Sequence, residues 1–289
     1  MKKVFITGAN GYIGGTVANL LVTKGYEVSG LIRRPELAGQ LIQQGIRPVT
    51  GETSDGDLLA TEAAAADAVI HTTNVVDSFP LDVFISTLRN TGKTLIHTSG
   101  SSILGKQDGF IYTEDFPIDP APERVEWLAT NNRVIRAAEQ GIRSVVIIPS
   151  MIYGEGTGIH KESIQLPRLW NAALEKGAGV YVEEGKSVWS NAHIEDLAQL
   201  YADVLEKAHS GSLFYAENGE ASFREIALAM SRKMGKEDEV ISISLEEATG
   251  YWGEDMAKNG LASNSRCSAN KARTMLGWQP RYNSIFEHI

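Results

Sequence analysis

Short runs of Val, Ile and Leu alternate with longer segments in which apolar positions recur every three to four residues, and this alternation fills the first half of the chain. Runs of the first kind suit strands buried on both faces, and segments of the second kind suit amphipathic helices. The pattern predicts strands over residues 3–7, 26–32, 46–49, 68–71, 94–98 and 144–148. Helices are predicted between them over 12–24, 35–44, 57–66, 81–90 and 126–140. Strand and helix in strict alternation mark successive βαβ units, so the expected fold is α/β with a doubly wound parallel sheet. After Pro149 the pattern loosens into a Gly-rich stretch over 154–158, followed by helical runs over 166–176, 194–207 and 223–233. Residues 1–150 are therefore expected to form one unit. Residues 151–289 should form mainly a smaller C-terminal lobe, with some segments returning to the core of the first unit.

The first predicted strand runs into Thr7, Gly8, Ala9, Asn10, Gly11, Tyr12, Ile13 and Gly14, where the first helix opens. In that context glycine at 8 permits a tight turn, glycine at 11 lets backbone approach a pyrophosphate, and glycine at 14 lets helix pack closely on sheet. The helix N-terminus then faces the anion. This is the layout of a Rossmann-type dinucleotide site. In NAD-preferring sites an acidic residue near the end of the second strand takes the ribose 2′-hydroxyl, but this strand ends in Leu31, Ile32, Arg33 and Arg34. Two guanidiniums suit a 2′-phosphate. The expected cofactor is NADP(H), the other reading of Arg33 and Arg34 being solvated residues before the next helix.

Composition narrows the partners. With 289 residues and 43% hydrophobic content the chain can fill a sizeable core. A formal net charge of -9 argues against a nucleic-acid partner. The lone Cys267 makes no internal disulfide, so a reducing cytoplasm is the expected compartment and an inert thiol its expected state. Gly8 and Gly11 interrupt the N-terminal apolar run, which predicts neither a secretory signal nor a membrane span. The expected partner is a small molecule, and nothing in the sequence speaks to oligomeric state.

The Thr-Gly-x-x-Gly-x-x-Gly spacing at 7–14 resembles the extended branch of the short-chain dehydrogenase/reductases, which includes NAD(P)-dependent epimerases and dehydratases. Gly51 to Asp55 resembles that family's element after the third strand, which implies an adenine-contacting role for Glu52. His71 to Thr73 sits where the loop after the fourth strand borders the cofactor, implying a role for Thr72. Pro149 to Gly154 resembles the family's segment after the sixth strand, with Ile148 in place of an arginine, and puts Pro149 beside the cofactor. His193 to Ala198 and Lys271 to Pro280 resemble the elements that position and close the C-terminal lobe.

The resemblance implies a Tyr-x-x-x-Lys pair on the helix after the fifth strand, and counting back from Gly141 gives Pro122 to Ala129, with neither residue. Another proton donor is needed. Ser99, at the end of the fifth strand, can polarise a substrate carbonyl or bind the cofactor. Tyr153 carries the missing phenol and can act as general acid or pack near the nicotinamide end. Tyr112 reads as a partly exposed aromatic, His193 as a structural histidine, and His160 and Lys161 as surface loop residues. Asp82 and Asp108 read as solvated charges, and no cluster has metal-ligand spacing. The leading expectation is an NADP(H)-dependent oxidoreductase acting on a small carbonyl or alcohol. The alternatives are an epimerase, isomerase or dehydratase with bound NAD(P), and a non-catalytic NADP(H) sensor.

Overall fold

In the computed structural model, which describes residues 2–104 and 109–289, seven parallel strands form the central sheet. Asp108 lies outside the described residues. The sheet takes β1 (Lys3–Thr7), β2 (Glu27–Ile32), β3 (Arg47–Thr50), β4 (Ala68–His71), β5 (Thr94–Thr98) and β6 (Arg143–Pro149). The intervening helices are α1 (Tyr12–Thr23), α2 (Ala38–Gln43), α3 (Gly56–Ala65), α4 (Phe79–Leu88) and α5 (Val125–Arg136). Every residue of β4 and β5 is buried, which is why these segments read as unbroken apolar runs rather than as an alternation.

One face of the sheet packs on α1 and α2 through Val17, Leu21 and Leu41. The opposite face packs on α3, α4 and α5 through Leu59, Phe84 and Val134. The result is a Rossmann-type doubly wound sheet.

Past Pro149 the chain divides its residues between this sheet and a second core. β7 (Met151–Tyr153) joins β9 (Val188–His193) and β11 (Glu220–Ser222) in a small three-stranded sheet. α6 (Gln165–Lys176) lies between them in sequence, as does β8 (Gly179–Val182), which pairs with β12 (Val240–Ile243). Met151, Tyr153, Leu169, Trp189 and Phe223 share one apolar cluster there, with α8 (Phe223–Lys233) and α9 (Leu245–Trp252) contributing. α8 begins with a reciprocal cap, in which the Ser222 hydroxyl accepts from the Glu225 N–H and the Glu225 carboxylate accepts from the Ser222 N–H.

Two elements return to the first core. α7 (Ile194–Lys207) packs Leu197, Leu200 and Tyr201 into the α1 face, and β10 (Ser212–Ala216) pairs in parallel with β6 as the seventh strand. Trp278 locks this arrangement, its indole N–H donating to the Asp196 carbonyl at 2.9 Å.

The spatial order β10-β6-β5-β4-β1-β2-β3 reverses direction between β1 and β4. Crossovers on either side of that point go to opposite faces, so the loops after β1 and β4 part and leave a crevice at the carboxyl ends of the strands.

Candidate active site

The turn after β1 is shaped by two close approaches. Gly8 adopts φ +75°, a region that disfavours a side chain, and the Gly11 N–H donates to the Gly8 carbonyl at 2.9 Å. A Cβ on Gly14 would lie 2.4 Å from that same carbonyl oxygen, so only glycine lets α1 start this close to the turn. Gly11 caps α1 without any side-chain hydrogen bond, and no acidic residue stands in the first turn. The N–H groups at the start of a twelve-residue helix are thus left for an anion. This arrangement fits the pyrophosphate of a dinucleotide cofactor.

Below the turn Thr7 is fully buried. Its hydroxyl lies 2.8 Å from Nδ1 of His71, and the Thr72 hydroxyl donates to the Thr7 carbonyl at 2.6 Å. These bonds tie the ends of β1 and β4 together beneath the crevice. Tyr12 donates its hydroxyl to the Gly154 carbonyl at 2.7 Å, joining the first turn of α1 to the loop after β7.

A cavity of about 460 Å³ opens above this floor. Gly8, Gly11, Tyr12, Ile13, Gly14, Thr72, Ser99 and Pro149 all line it. Asn10 is half-buried on the same turn and Thr7 lies beneath it, neither lining the cavity. Arg33 and Arg34 are exposed past the end of β2, and neither forms an ion pair or hydrogen-bonded side-chain contact among the described residues. Glu52 is exposed after β3, where it accepts from the Ser54 hydroxyl at 3.4 Å. These last three sit outside the cavity, along the same carboxyl edge of the sheet.

Ser99 is buried, and its Oγ accepts from Nδ2 of Asn131 on α5 at 3.0 Å. That bond uses one of the oxygen's two acceptor sites and leaves the hydroxyl proton available for another partner. Asn131 Oδ1 is buried with no partner among the described residues. Arg124, in the turn that leads into α5, is 6% exposed and lines the cavity. Its guanidinium stacks 4.4 Å over the ring of Trp127. Arg124, Trp127 and Asn131 are spaced three and four apart and so share one face. Counting back from Gly141 stops at Ala129, two residues short of the side chain that reaches Ser99. The periodic spacing of 124, 127 and 131 was the available signal.

Tyr153 requires a correction. It lies in β7, where side chains alternate in direction: Ser150 and Ile152 line the cavity, while Met151 and Tyr153 point into the C-terminal core. The ring is fully buried between His193 and His288, and its hydroxyl donates to the Tyr282 carbonyl at 3.2 Å. Burial pushes its pKa far above the ordinary phenol value. A phenol so placed does not serve the cavity as an acid.

His160 is an exposed loop residue, as expected, and its loop also brings it to the cavity lining beside Glu162. That loop is pinned on α1: a Cβ on Gly158 would lie 2.7 Å from Gly15, and the Thr157 N–H donates to the Thr16 hydroxyl at 3.2 Å. Tyr112 is buried among Phe110 and Phe116 rather than partly exposed. His193 caps α7 through Nδ1, which accepts from the Glu195 N–H at 3.2 Å, and stacks on Tyr282. Cys267 is buried, and burial raises its thiol pKa, which keeps it unreactive. Among the described residues no group of His, Cys, Asp and Glu is placed to hold a metal, and no helix is long and apolar enough to cross a membrane.

Fold and cavity together define a Rossmann-type α/β protein with a glycine-lined crevice at the carboxyl edge of its sheet. Residues 4–214 match the model of the NAD dependent epimerase/dehydratase family, and the chain belongs to that family. It is 31% identical to an uncharacterised protein of Schizosaccharomyces pombe over 302 residues, covering 99% of this chain and 98% of the other. It is 23% identical to a 4-hydroxy-2-methyl-3-oxo-4-farnesyl-3,4-dihydroquinoline-1-oxide ketoreductase of Stigmatella aurantiaca, over 88% of this chain and 80% of that one. Among solved structures, the dTDP-glucose 4,6-dehydratase of Bacillus anthracis in complex with NAD superposes with a TM-score of 0.80 at 16% identity. That match covers 100% of this chain and 95% of the other. The family supports nicotinamide-dependent chemistry of the oxidoreductase, epimerase or dehydratase kind.

Proposed function

We propose that the chain is an NADP(H)-dependent oxidoreductase that interconverts a small carbonyl compound and its alcohol. One observation carries the reading: Ser99 and the glycine turn line a single cavity, and Asn131 fixes Ser99 with its proton free to donate. A bound nicotinamide supplies or accepts hydride. Ser99 donates its hydroxyl hydrogen bond to the substrate oxygen and passes it the proton that completes the alcohol, solvent at the cavity mouth replacing that proton, and Asn131 acts through Ser99 by keeping its oxygen oriented. Tyr12, Thr72 and the glycine turn hold the cofactor end of the crevice in shape.

An epimerase or dehydratase would share the hydride step, so the choice between the readings rests on the substrate held, and no Lys or Arg is left unmatched among the described lining residues to hold a nucleotide diphosphate. The ketoreductase activity in the name of the Stigmatella aurantiaca relative points the same way. NADP(H) is preferred over NAD(H) because Arg33 and Arg34 stand exposed where the cofactor's 2′ position is expected, with no carboxylate beside them on β2.

Paired titrations with NADPH and NADH, followed by turnover of NADPH with a panel of carbonyl compounds, test this reading. NADPH is expected to bind more tightly, and replacing Arg33 and Arg34 by Ala should erase the preference. Equal affinities in the native protein would remove the NADP(H) assignment. Tight NADPH binding with no turnover on the whole panel would favour a sensor.

A further inference from the structure

The cavity's substrate end is built from two lobes. Trp127 comes from α5 and Trp189 from β9, with Ile152, Ile164 and Met256 completing an apolar surround. Trp189 is 4% exposed and held by its own N–H, which donates to the Ser263 carbonyl at 2.7 Å. The fixed charges along the lining are Arg124, which is buried, and Asp255 and Glu162, which are exposed, so one cation stands against two carboxylates, with His160 beside Glu162 on the same loop. That cation is already matched. Arg124 Nη2 donates to Asp255 at 2.5 Å, Nε donates to the Ser102 hydroxyl at 3.1 Å, and the guanidinium plane lies on Trp127. Asp255 is held in turn by Nδ2 of Asn259 at 3.0 Å. Burial acts to raise the Asp255 carboxyl, but the hydrogen bonds from Asn259 and Arg124 outweigh it and keep the group below its ordinary value, hence ionised.

We infer that the substrate is an uncharged carbonyl compound with an apolar, preferably aromatic, body, and that the Arg124–Asp255 pair excludes carboxylates and nucleotide sugars. A diphosphate or carboxylate entering this end finds no unmatched Lys or Arg among the described lining residues and meets two carboxylates. Both carboxylates stand exposed at the cavity mouth, where an incoming anion meets like charge with no free cation to offset it. A neutral ring, by contrast, fills the space between the two indoles and presents its oxygen to Ser99. This inference rests on the oxidoreductase reading and names the substrate class for the same site.

The test compares three probes added to the NADP+-bound protein, with binding followed by tryptophan fluorescence and calorimetry. They are 1-phenylethanol, mandelate, which replaces its methyl group by a carboxylate, and UDP-glucose. 1-Phenylethanol is expected to bind at least about tenfold more tightly than mandelate, with UDP-glucose silent. In Asp255→Asn the unmatched Arg124 charge should strengthen mandelate binding by about tenfold. Mandelate or UDP-glucose binding as well as the neutral alcohol would overturn the inference, as would failure of a series of neutral phenyl and alkyl alcohols to bind. Should Asp255→Asn fail to fold, the ratio in the native protein still decides. Failure of NADP+ and NADPH themselves to bind would instead overturn the reading on which the inference rests.

Discussion

The two walls of the crevice are assembled in different ways. The wall beneath the cofactor is one stretch of eight residues, Thr7 to Gly14, in which each glycine answers a local demand of the backbone. The facing wall draws Ser99 from β5, Arg124 and Trp127 from the start of α5, Trp189 from β9 and Asp255 from the segment after α9. A contiguous wall depends on backbone shape and tolerates almost no added atoms. A dispersed wall depends on how side chains from separate elements meet, so single changes there should alter chemistry without unseating the cofactor.

Substitution at Gly14 should produce the largest effect. In Gly14→Val the first added carbon would lie 2.4 Å from the Gly8 carbonyl oxygen and 2.5 Å from the Thr72 hydroxyl, so the turn must move. NADPH affinity is expected to fall by at least about 100-fold, because the backbone no longer approaches the pyrophosphate. A folded variant that binds NADPH normally would break the account of this wall.

On the opposite wall, Ser99→Ala should lower kcat by about 10²-fold while NADPH affinity holds, and Asn131→Ala should lower it by about tenfold. A loss of NADPH affinity in Ser99→Ala, with kcat retained, would reassign Ser99 to the cofactor.

Much of the fold was legible in the sequence because its strands are buried on both faces and its helices are amphipathic. β1, β4 and β5 end where the apolar runs end, and α7 and α8 begin and stop at the predicted residues. No strand after β6 was predicted: β7 and β11 are three residues long, too short for a period to declare itself, and in β9 the polar Ser190, Asn191 and His193 break the apolar run. Missing β7 also concealed the direction of Tyr153, since only a strand's alternation turns Ile152 to the cavity and Tyr153 to the core. Asp255 lies 131 residues from Arg124, and no local pattern joins them.

Acid stability separates the floor of the crevice from its walls. His71 and His97 are fully buried and stacked 5.7 Å apart on β4 and β5. Burial lowers His71 to about 4, and burial together with the neighbouring His71 lowers His97 to about 3, both from 6.5. With folded values below unfolded ones, the unfolded chain takes up protons first, so this stability is complete above pH 6.5 and is lost as pH falls toward 4. The Tm is expected to drop between pH 7 and pH 5. A flat Tm across that window would show that the pair lies in contact with water.

Tyr153→Phe should give the smallest effect, a change in kcat of less than about twofold with modest destabilisation, because one hydrogen bond to Tyr282 is lost. A loss in kcat approaching that of Ser99→Ala would restore the phenol to the reaction.

If the cavity delivers hydride to a neutral carbonyl, the label on the product will show it. Native protein supplied with NADPH carrying deuterium at the transferable C4 position and a neutral aryl ketone should oxidise one NADPH for each alcohol formed. The deuterium should be found on the carbinol carbon. Alcohol without deuterium, or conversion of a nucleotide sugar with no net consumption of NADPH, would contradict the account.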